Sequence, residues 1–131
     1  MSTHPSKIVC VGRNYAEHAK ELGNAIPDRP ILFMKPPSSL ASLEKGIDWN
    51  KALGECHYEC EICVQIAHPL SKETDISKAL EAVGAITLGL DLTLRDLQSD
   101  LKEKGQPWER AKAFDGACLL AEWMKLAICK S

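Results

Sequence analysis

Apolar and polar positions change their spacing several times along the chain, and each spacing predicts one type of element. Short apolar runs bounded by glycine or proline predict strands at Lys7–Val11 and in the segment ILFMK. Strict alternation across residues 57–66 predicts a half-buried strand, and residues 84–94 form a longer apolar run broken by one aspartate. Residues 38–54 are polar and irregular, which predicts a long surface loop with a short strand.

Helix signals fall between these strands. Helices are expected at Tyr15–Leu22, from Thr74 or Asp75 to Val83, and at Arg95–Lys104. The first is expected to end at Gly23-Asn24 and the third at Gly105, because glycine and asparagine are common just after a helix. The closing segment GACLLAEW is strand-like.

Length and composition exclude several classes of protein. The chain has 131 residues, enough for one core, and residues 1–131 are assigned to a single domain. Its net charge of −2 gives no electrostatic reason for binding nucleic acid or an acidic membrane. Its apolar runs are too short to span a bilayer, and its N-terminus lacks a signal-peptide layout. We therefore expect a cytoplasmic protein without nucleic-acid or membrane partners.

Six cysteines raise the question of zinc, because Cys56, Cys60 and Cys63 lie close to His57. The spacing C-x3-C-x2-C is not a standard zinc knuckle. In an extended strand, Cys56 and Cys60 point to one face and Cys63 to the other, so the three thiols do not converge. Reduced, packed thiols are favoured, with a zinc-binding interaction module as the alternative.

The strand at residues 57–66 has two chemically different faces. The expected core face holds Tyr58, Cys60, Ile62, Val64 and Ile66, and the other holds His57, Glu59, Glu61 and Gln65. The two glutamates lie two residues apart, roughly 6.5–7 Å between Cα atoms on one side, and repel each other without a counter-charge. A hard divalent cation, Mg2+, Mn2+ or Ca2+, would remove that repulsion. From this segment alone, a solvent-facing strand edge is the simpler interpretation.

Asp91 favours the metal site over the solvent-facing edge, because it lies between leucines in the apolar run at residues 84–94. A buried unpaired carboxylate costs several kcal/mol, so Asp91 needs a partner. Arg95 could supply one, and a metal ion shared with Glu59 and Glu61 could supply another.

A second group of candidates consists of His18 and Glu21, three residues apart on one helix face. A carboxylate beside an imidazole suits a general base that acts on water, although such a pair on an exposed helix is usually only solvated. Lys35 and Lys112 adjoin apolar segments and either hold an anionic substrate or are ordinary surface lysines.

Five segments, in order, resemble the fumarylacetoacetate hydrolase family: KIVCVGRNYAEHAKELG, PILFMKP, HYECEI, LGLDLTLRDLQ and KGQPWERAKAFDGAC. The similarity runs from about residue 7 to residue 118 and is greatest to acylpyruvate hydrolases, oxaloacetate decarboxylases and related 2-oxo acid enzymes. It implies an α+β fold with a mixed β-sheet roll of the family's C-terminal-domain type. The roll is expected to be incomplete here, because the chain resembles a member truncated after its N-terminal half.

The resemblance implies three kinds of site residue. The metal ligands are Glu59, Glu61 and Asp91. The catalytic residues are His18, Glu21 and Lys112. The substrate-binding residues are Arg95, Gln98 and Lys35. The ion implied is Mg2+ or Mn2+, with Ca2+ as a further candidate.

The implied function is a metal-dependent hydrolase or lyase that acts on C–C bonds of a small 2-oxo acid of acylpyruvate or fumarylpyruvate type. The metal would stabilise an enolate while the His18–Glu21 pair activates water. The resemblance also implies a homodimer. The alternatives are a catalytically inactive truncated fragment, a decarboxylase, hydratase or isomerase of the same family, and the zinc-binding module.

Overall fold

The computed structural model describes residues 4–23, 25 and 28–127. Its strands are β1 Ile8–Gly12, β2 Ile31–Lys35, β3 Leu40–Ser42, β4 Cys56–Ile66, β5 Val83–Leu94, β6 Cys118–Leu120 and β7 Met124–Lys125. Its α-helices are α1 Ala16–Glu21, α2 Ile76–Glu81, α3 Arg95–Glu103 and α4 Glu109–Lys112. The polar segment before β4 holds β3 and three short 3-10 turns, which confirms the expected loop with one short strand.

The strands form two sheets of mixed direction. β1 and β2 pair antiparallel as a two-stranded sheet. The second sheet has the order β3-β6-β5-β4, and β7 pairs with β5 beyond the end of β6. β3 and β6 are parallel, whereas the other pairs in this sheet are antiparallel. The expected α+β fold with a mixed sheet is confirmed.

The helices are shorter than the sequence pattern predicts. α1 has six residues, so Tyr15 and Leu22 lie just outside it, and Asn24 of its expected C-terminal signal lies outside the described residues. α2 begins after Asp75, whose side chain accepts a hydrogen bond from the Ser77 backbone N–H, and it ends early because β5 starts at Val83. No helix among the described residues is long and apolar enough to cross a membrane.

β4 and β5 form the long antiparallel ribbon on which the fold is built. β4 has 11 residues and β5 has 12, and both consist mainly of the β-branched, leucine and cysteine residues that suit a pleated surface. The register places Glu59 opposite Asp91, and a bulge between Gln65 and Ile66 ends the regular pairing. Paired residues lie on the same face of a sheet, so one face of the ribbon carries Glu59, Glu61 and Asp91 together.

The apolar core lies where α3 and α4 pack on one end of this ribbon. One cluster centres on Leu92, Ala117 and Leu119, and a second on Leu94, Leu101 and Ala111. Cys56 and Phe114 pack against both clusters and join them. The core therefore supports the C-terminal end of β5, directly beside Asp91.

The predicted core face of β4 is wrong. Tyr58, Ile62, Val64 and Ile66 are between 51% and 69% exposed, whereas Glu59, Glu61, Cys63 and Gln65 are half-buried. The alternation of the strand was predicted correctly, but the two faces are exchanged. Three cationic side chains lie on the carboxylate side of the ribbon and pair with Glu59 and Asp91, which offsets part of the cost of burying these two charges.

Candidate metal centre

Three carboxylates converge on the inner face of the β4–β5 ribbon. One oxygen from each of Glu59, Glu61 and Asp91 lies within 4.8 Å of the other two. Two of these residues are two positions apart on β4, and the cross-strand register places the third beside them. Carboxylate oxygens at this mutual distance fit the ligand set that Mg2+, Mn2+ and Ca2+ prefer.

Asp91 is the most buried of the three, with only 8% of its surface exposed. Its Oδ1 lies 2.8 Å from the Lys35 ammonium, and its Oδ2 accepts a hydrogen bond of 2.8 Å from Lys112. The expected pairing of Asp91 with Arg95 is wrong. The two lysines come from β2 and α4, elements distant in sequence that pack over this part of the ribbon.

Glu59 is the carboxylate that Arg95 contacts instead. The Arg95 guanidinium donates to Glu59 Oε1 and, through its other terminal nitrogen, donates a 2.8 Å hydrogen bond to the Gln98 side-chain oxygen. Arg95 and Gln98 both belong to α3, which starts where β5 ends, so the strand-to-helix turn positions the pair beside Glu59. Lys112 lies 3.6 Å from the second Glu59 oxygen.

Lys35 is almost completely buried, with 1% exposure. Besides contacting Asp91, its ammonium donates to the backbone carbonyls of Leu92, Ala117 and Lys112. These contacts engage the ammonium with groups of the protein itself and tie β2 to the end of β5. The substrate-binding role expected for Lys35 stays a prediction.

Lys112, which is 3% exposed, also donates a 2.7 Å hydrogen bond to the Thr93 hydroxyl. Its ammonium lies 5.2 Å from the centre of the Phe33 ring, which adds a cation–π contact. Lys112 thus touches Asp91, Glu59 and Thr93 at once, and its expected catalytic role stays a prediction. Sequence reasoning missed Thr93, although its position two residues after Asp91 places both on one strand face.

Glu61 differs from the other two carboxylates in its partners. Among the described residues it makes no salt bridge, whereas Glu59 and Asp91 each contact two cations. Burial, followed by repulsion from Glu59 and Asp91, raises the pKa of Glu61 above its usual range. The nearby Tyr15 hydroxyl opposes part of this rise in the pKa of Glu61.

The expected catalytic pair lies on α1. Glu21 is the last residue of this helix, and the side chain of His18 lies outside the described residues. Burial, followed by the charge of Glu61, raises the pKa of Tyr15, the residue directly before α1. The water-activating roles of His18 and Glu21 stay predictions.

The cysteines do not assemble a second candidate centre in the described part of the chain, where the carboxylate group is the only cluster of metal-binding side chains. Cys56, Cys60 and Cys63 are free thiols, and burial raises the pKa of Cys63 to about 11. Cys60 and Cys63 lie on opposite faces of β4, so their side chains point away from each other. The described structure gives no support to the zinc module.

The fold and the carboxylate cluster define an α+β protein with a candidate oxygen-donor metal centre. A family model described as fumarylacetoacetate (FAA) hydrolase C-terminal matches residues 7–128. The chain therefore belongs to the fumarylacetoacetate hydrolase family, as the resemblance of its motifs indicates.

Individual relatives agree with this assignment. An oxaloacetate tautomerase of Escherichia coli K12 is 44% identical over 93% of this chain, which covers 55% of that protein. A solved structure of a putative fumarylacetoacetate isomerase/hydrolase from Oleispira antarctica has 52% identity and a TM-score of 0.90, with 95% of this chain and 55% of that chain covered. Fumarylpyruvate hydrolase from Pseudomonas aeruginosa, solved with Mn2+ and pyruvate, has 34% identity and a TM-score of 0.79 over 89% and 52% of the two chains. The chain thus spans about half the length of these relatives.

Proposed function

We propose that Glu59, Glu61 and Asp91 bind one Mg2+ or Mn2+ ion and that this centre acts on a small 2-oxo acid. The observation that carries the proposal is the convergence of the three carboxylates to within 4.8 Å. The Mn2+ complex of the Pseudomonas aeruginosa relative supports a divalent ion in a protein of this fold. Ca2+ is a further candidate ion, because it takes the same oxygen ligands.

The charges around the cluster suit an anionic ligand. Asp91 and Glu59 contact three cations, Lys35, Lys112 and Arg95, so the charges of the three carboxylates are roughly balanced within the cluster. A bound divalent ion would add two positive charges, polarise a 2-oxo group and stabilise the negative charge of an enolate. In this proposal Arg95 and Lys112 orient the carboxylate of the substrate, supported by their position beside the cluster and by the hydrogen bond from Arg95 to Gln98.

We propose keto–enol tautomerisation of oxaloacetate as the first reaction to test, because the Escherichia coli relative at 44% identity has that name. Tautomerisation moves one proton between carbon and oxygen, so it requires a group that accepts and returns a proton. The His18–Glu21 pair on α1 is the candidate for that role, with the imidazole as the proton carrier and the carboxylate as its partner.

C–C bond hydrolysis of an acylpyruvate is the second candidate, favoured by the structural similarity to fumarylpyruvate hydrolase. It uses the same enolate stabilisation but needs an activated water at the distal carbonyl. Oxaloacetate decarboxylation is a third possibility within the family. Three assays distinguish these reactions. Hydrolysis releases a free carboxylic acid from an acylpyruvate, and decarboxylation releases CO2 from oxaloacetate. Tautomerisation is followed as the loss of enol absorbance.

The decisive experiment compares wild type with Glu59→Gln in metal titration and in these three assays. The matched control is Glu55→Gln, because Glu55 has an 87% exposed side chain just before β4 and lies outside the cluster. We expect Glu59→Gln to abolish ion binding and turnover, and Glu55→Gln to change neither. Ion binding without turnover on any substrate would support the inactive-fragment alternative, and equal ion binding by all three proteins would overturn the proposed centre.

A further inference from the structure

The ammonium of Lys112 is held by two residues of one strand. It donates a 2.8 Å hydrogen bond to Asp91 Oδ2 and a 2.7 Å hydrogen bond to the Thr93 hydroxyl. An ammonium group has three N–H donors. The distance from the same ammonium to Glu59 Oε2 is 3.6 Å, which is longer than either hydrogen bond. Asp91 and Thr93 therefore engage two of the donors and leave the third on the Glu59 side of the carboxylate cluster.

Thr93 gives this ammonium a rigid support. It is completely buried, and its neighbours Leu92 and Leu94 are centres of the two core clusters. Its side chain is β-branched, so few rotamers are accessible to its hydroxyl. The same hydroxyl lies 3.5 Å from the Asp91 backbone carbonyl, to which it donates, so its oxygen is available to accept from Lys112.

Lys112 is fixed at its backbone as well. It is the last residue of α4, and its carbonyl accepts a hydrogen bond from the buried Lys35 ammonium. A divalent ion at the carboxylates would repel the Lys112 ammonium and compete with it for Asp91, because both are cations. The Thr93 hydroxyl is neutral and does not belong to the proposed ligand set, so its hydrogen bond would keep Lys112 in place when an ion binds.

We propose that Thr93 is a positioning residue for the substrate: its hydroxyl keeps the Lys112 ammonium beside the cluster, so that the third N–H donor meets an oxygen of a bound 2-oxo acid. Thr93 acts through Lys112 and does not touch the ligand, because it has no exposed surface. This inference rests on the ion site and the substrate class proposed above.

The test is Thr93→Val, which replaces the hydroxyl by a methyl group, with Thr87→Val as the matched control. Thr87 is another buried threonine of β5, and its hydroxyl donates a 2.9 Å hydrogen bond to the Glu122 backbone carbonyl. Each variant loses a buried hydroxyl from the same strand, so both are expected to unfold at a lower temperature than wild type. Only Thr93→Val removes a hydrogen bond from Lys112.

The measurement is calorimetric titration with pyruvate, the 2-oxo acid in the solved Pseudomonas aeruginosa relative, after each protein has been titrated to saturation with Mn2+. Pyruvate affinity is expected to fall about 10-fold in Thr93→Val, because one hydrogen bond to a charged group is lost. It is expected to stay at the wild-type value in Thr87→Val and in Thr93→Ser, which keeps the hydroxyl. Thr93→Ala is expected to show the same loss as Thr93→Val and replaces it if the valine variant does not fold.

The possible outcomes separate this inference from the proposed function. Wild type that binds no Mn2+ would overturn the metal centre and, with it, the role of Thr93. Wild type that binds Mn2+ but not pyruvate would overturn the substrate class and the role of Thr93, and would leave the ion site in place. Equal pyruvate affinity in wild type and Thr93→Val, or an equal loss in Thr87→Val, would overturn the role of Thr93 alone.

Discussion

The two faces of β4 differ in a way that runs against simple hydropathy. The inner face carries Glu59 and Glu61, which are half-buried, and Glu59 is paired with Arg95 and Lys112. The outer face carries four large apolar or aromatic side chains that are more than half exposed. Burial on this strand therefore follows the available partners: charged groups are buried where cations meet them, and apolar groups stay exposed where no described element covers them.

The outer face of β4 exposes large apolar side chains to water, which has a cost in free energy. Leaving a large apolar side chain in water forgoes about 1.5–3 kcal/mol of burial free energy. A contiguous exposed apolar face usually marks a contact surface, and β4 is also an unpaired edge within the described part of its sheet. The homodimer expected from the family resemblance stays a prediction.

Removal of a charge from the inner face should have the largest effect on stability. Lys35→Met leaves Asp91 without one of its cations and removes the lysine's hydrogen bonds to three backbone carbonyls. We expect a loss of about 3–5 kcal/mol in the free energy of unfolding, measured by urea titration at neutral pH. The control Lys104→Met breaks an exposed pair with Asp100 and should cost at most about 0.5 kcal/mol. A loss below about 1 kcal/mol for Lys35→Met would contradict the account of the inner face.

A leucine pair on β5 tests the outer face of the same sheet. Leu92 pairs with Tyr58 and is 1% exposed against the core, whereas Leu88 pairs with Ile62 and is 55% exposed. Leu92→Ala should cost about 2–5 kcal/mol, and Leu88→Ala under about 1 kcal/mol. Similar losses at the two positions would mean that the outer face near Leu88 is covered in solution.

Neutralising Glu61 should stabilise the protein in the absence of divalent ions. Because burial and the neighbouring Glu59 and Asp91 raise its pKa in the folded state, ionised Glu61 opposes folding at neutral pH. The contribution of Glu61 to the free energy of unfolding is complete at pH values below the ordinary glutamate pKa. It is lost as the pH rises through the raised pKa of Glu61 in the folded state. Glu61→Gln should therefore unfold at a higher temperature than wild type at pH 7 in EDTA, and the difference should vanish at acid pH. A Glu61→Gln variant with a lower unfolding temperature than wild type at pH 7 would contradict the expected direction.

Alkylation of cysteines should distinguish the inner and outer faces of β4 without any substitution in the chain. Cys60 is exposed on the outer face, whereas Cys63 is half-buried on the inner face and has a pKa raised to about 11 by burial. Since the thiolate is the nucleophile, iodoacetamide at pH 8 should alkylate Cys60 well before Cys63, as followed by peptide mass spectrometry. The control is labelling in urea, where the two cysteines should be alkylated at equal rates. Faster alkylation of Cys63 than of Cys60 in the folded protein would contradict the assignment of the inner and outer faces.

Much of the fold was predictable from local pattern. The β4 and β5 spans differ from their predicted bounds by one residue, because alternation and apolar runs are local properties. The same-face placement of Glu59 and Glu61 follows directly from the period of a strand. Alternation cannot tell which face of a strand is covered, however, because the cover comes from elements distant in sequence. For that reason the core face of β4 was predicted wrongly.

The charge partners could not be predicted for the same reason. Lys35 contacts carbonyls 57 and 82 residues away, at Leu92 and Ala117, and nothing in the segment ILFMK indicates those contacts. Arg95 is four residues from Asp91 but pairs with Glu59 across the ribbon. Motif resemblance identified the residues that converge, and only the tertiary structure identifies which cation meets which carboxylate.

The central claim is that the inner face of β4, together with Asp91, binds one divalent ion, and anomalous diffraction from crystals grown with Mn2+ tests it most directly. The account predicts one anomalous peak at bonding distance from oxygens of Glu59, Glu61 and Asp91. Absence of a peak at the three carboxylates, or a peak held by cysteine sulfurs instead, would contradict it.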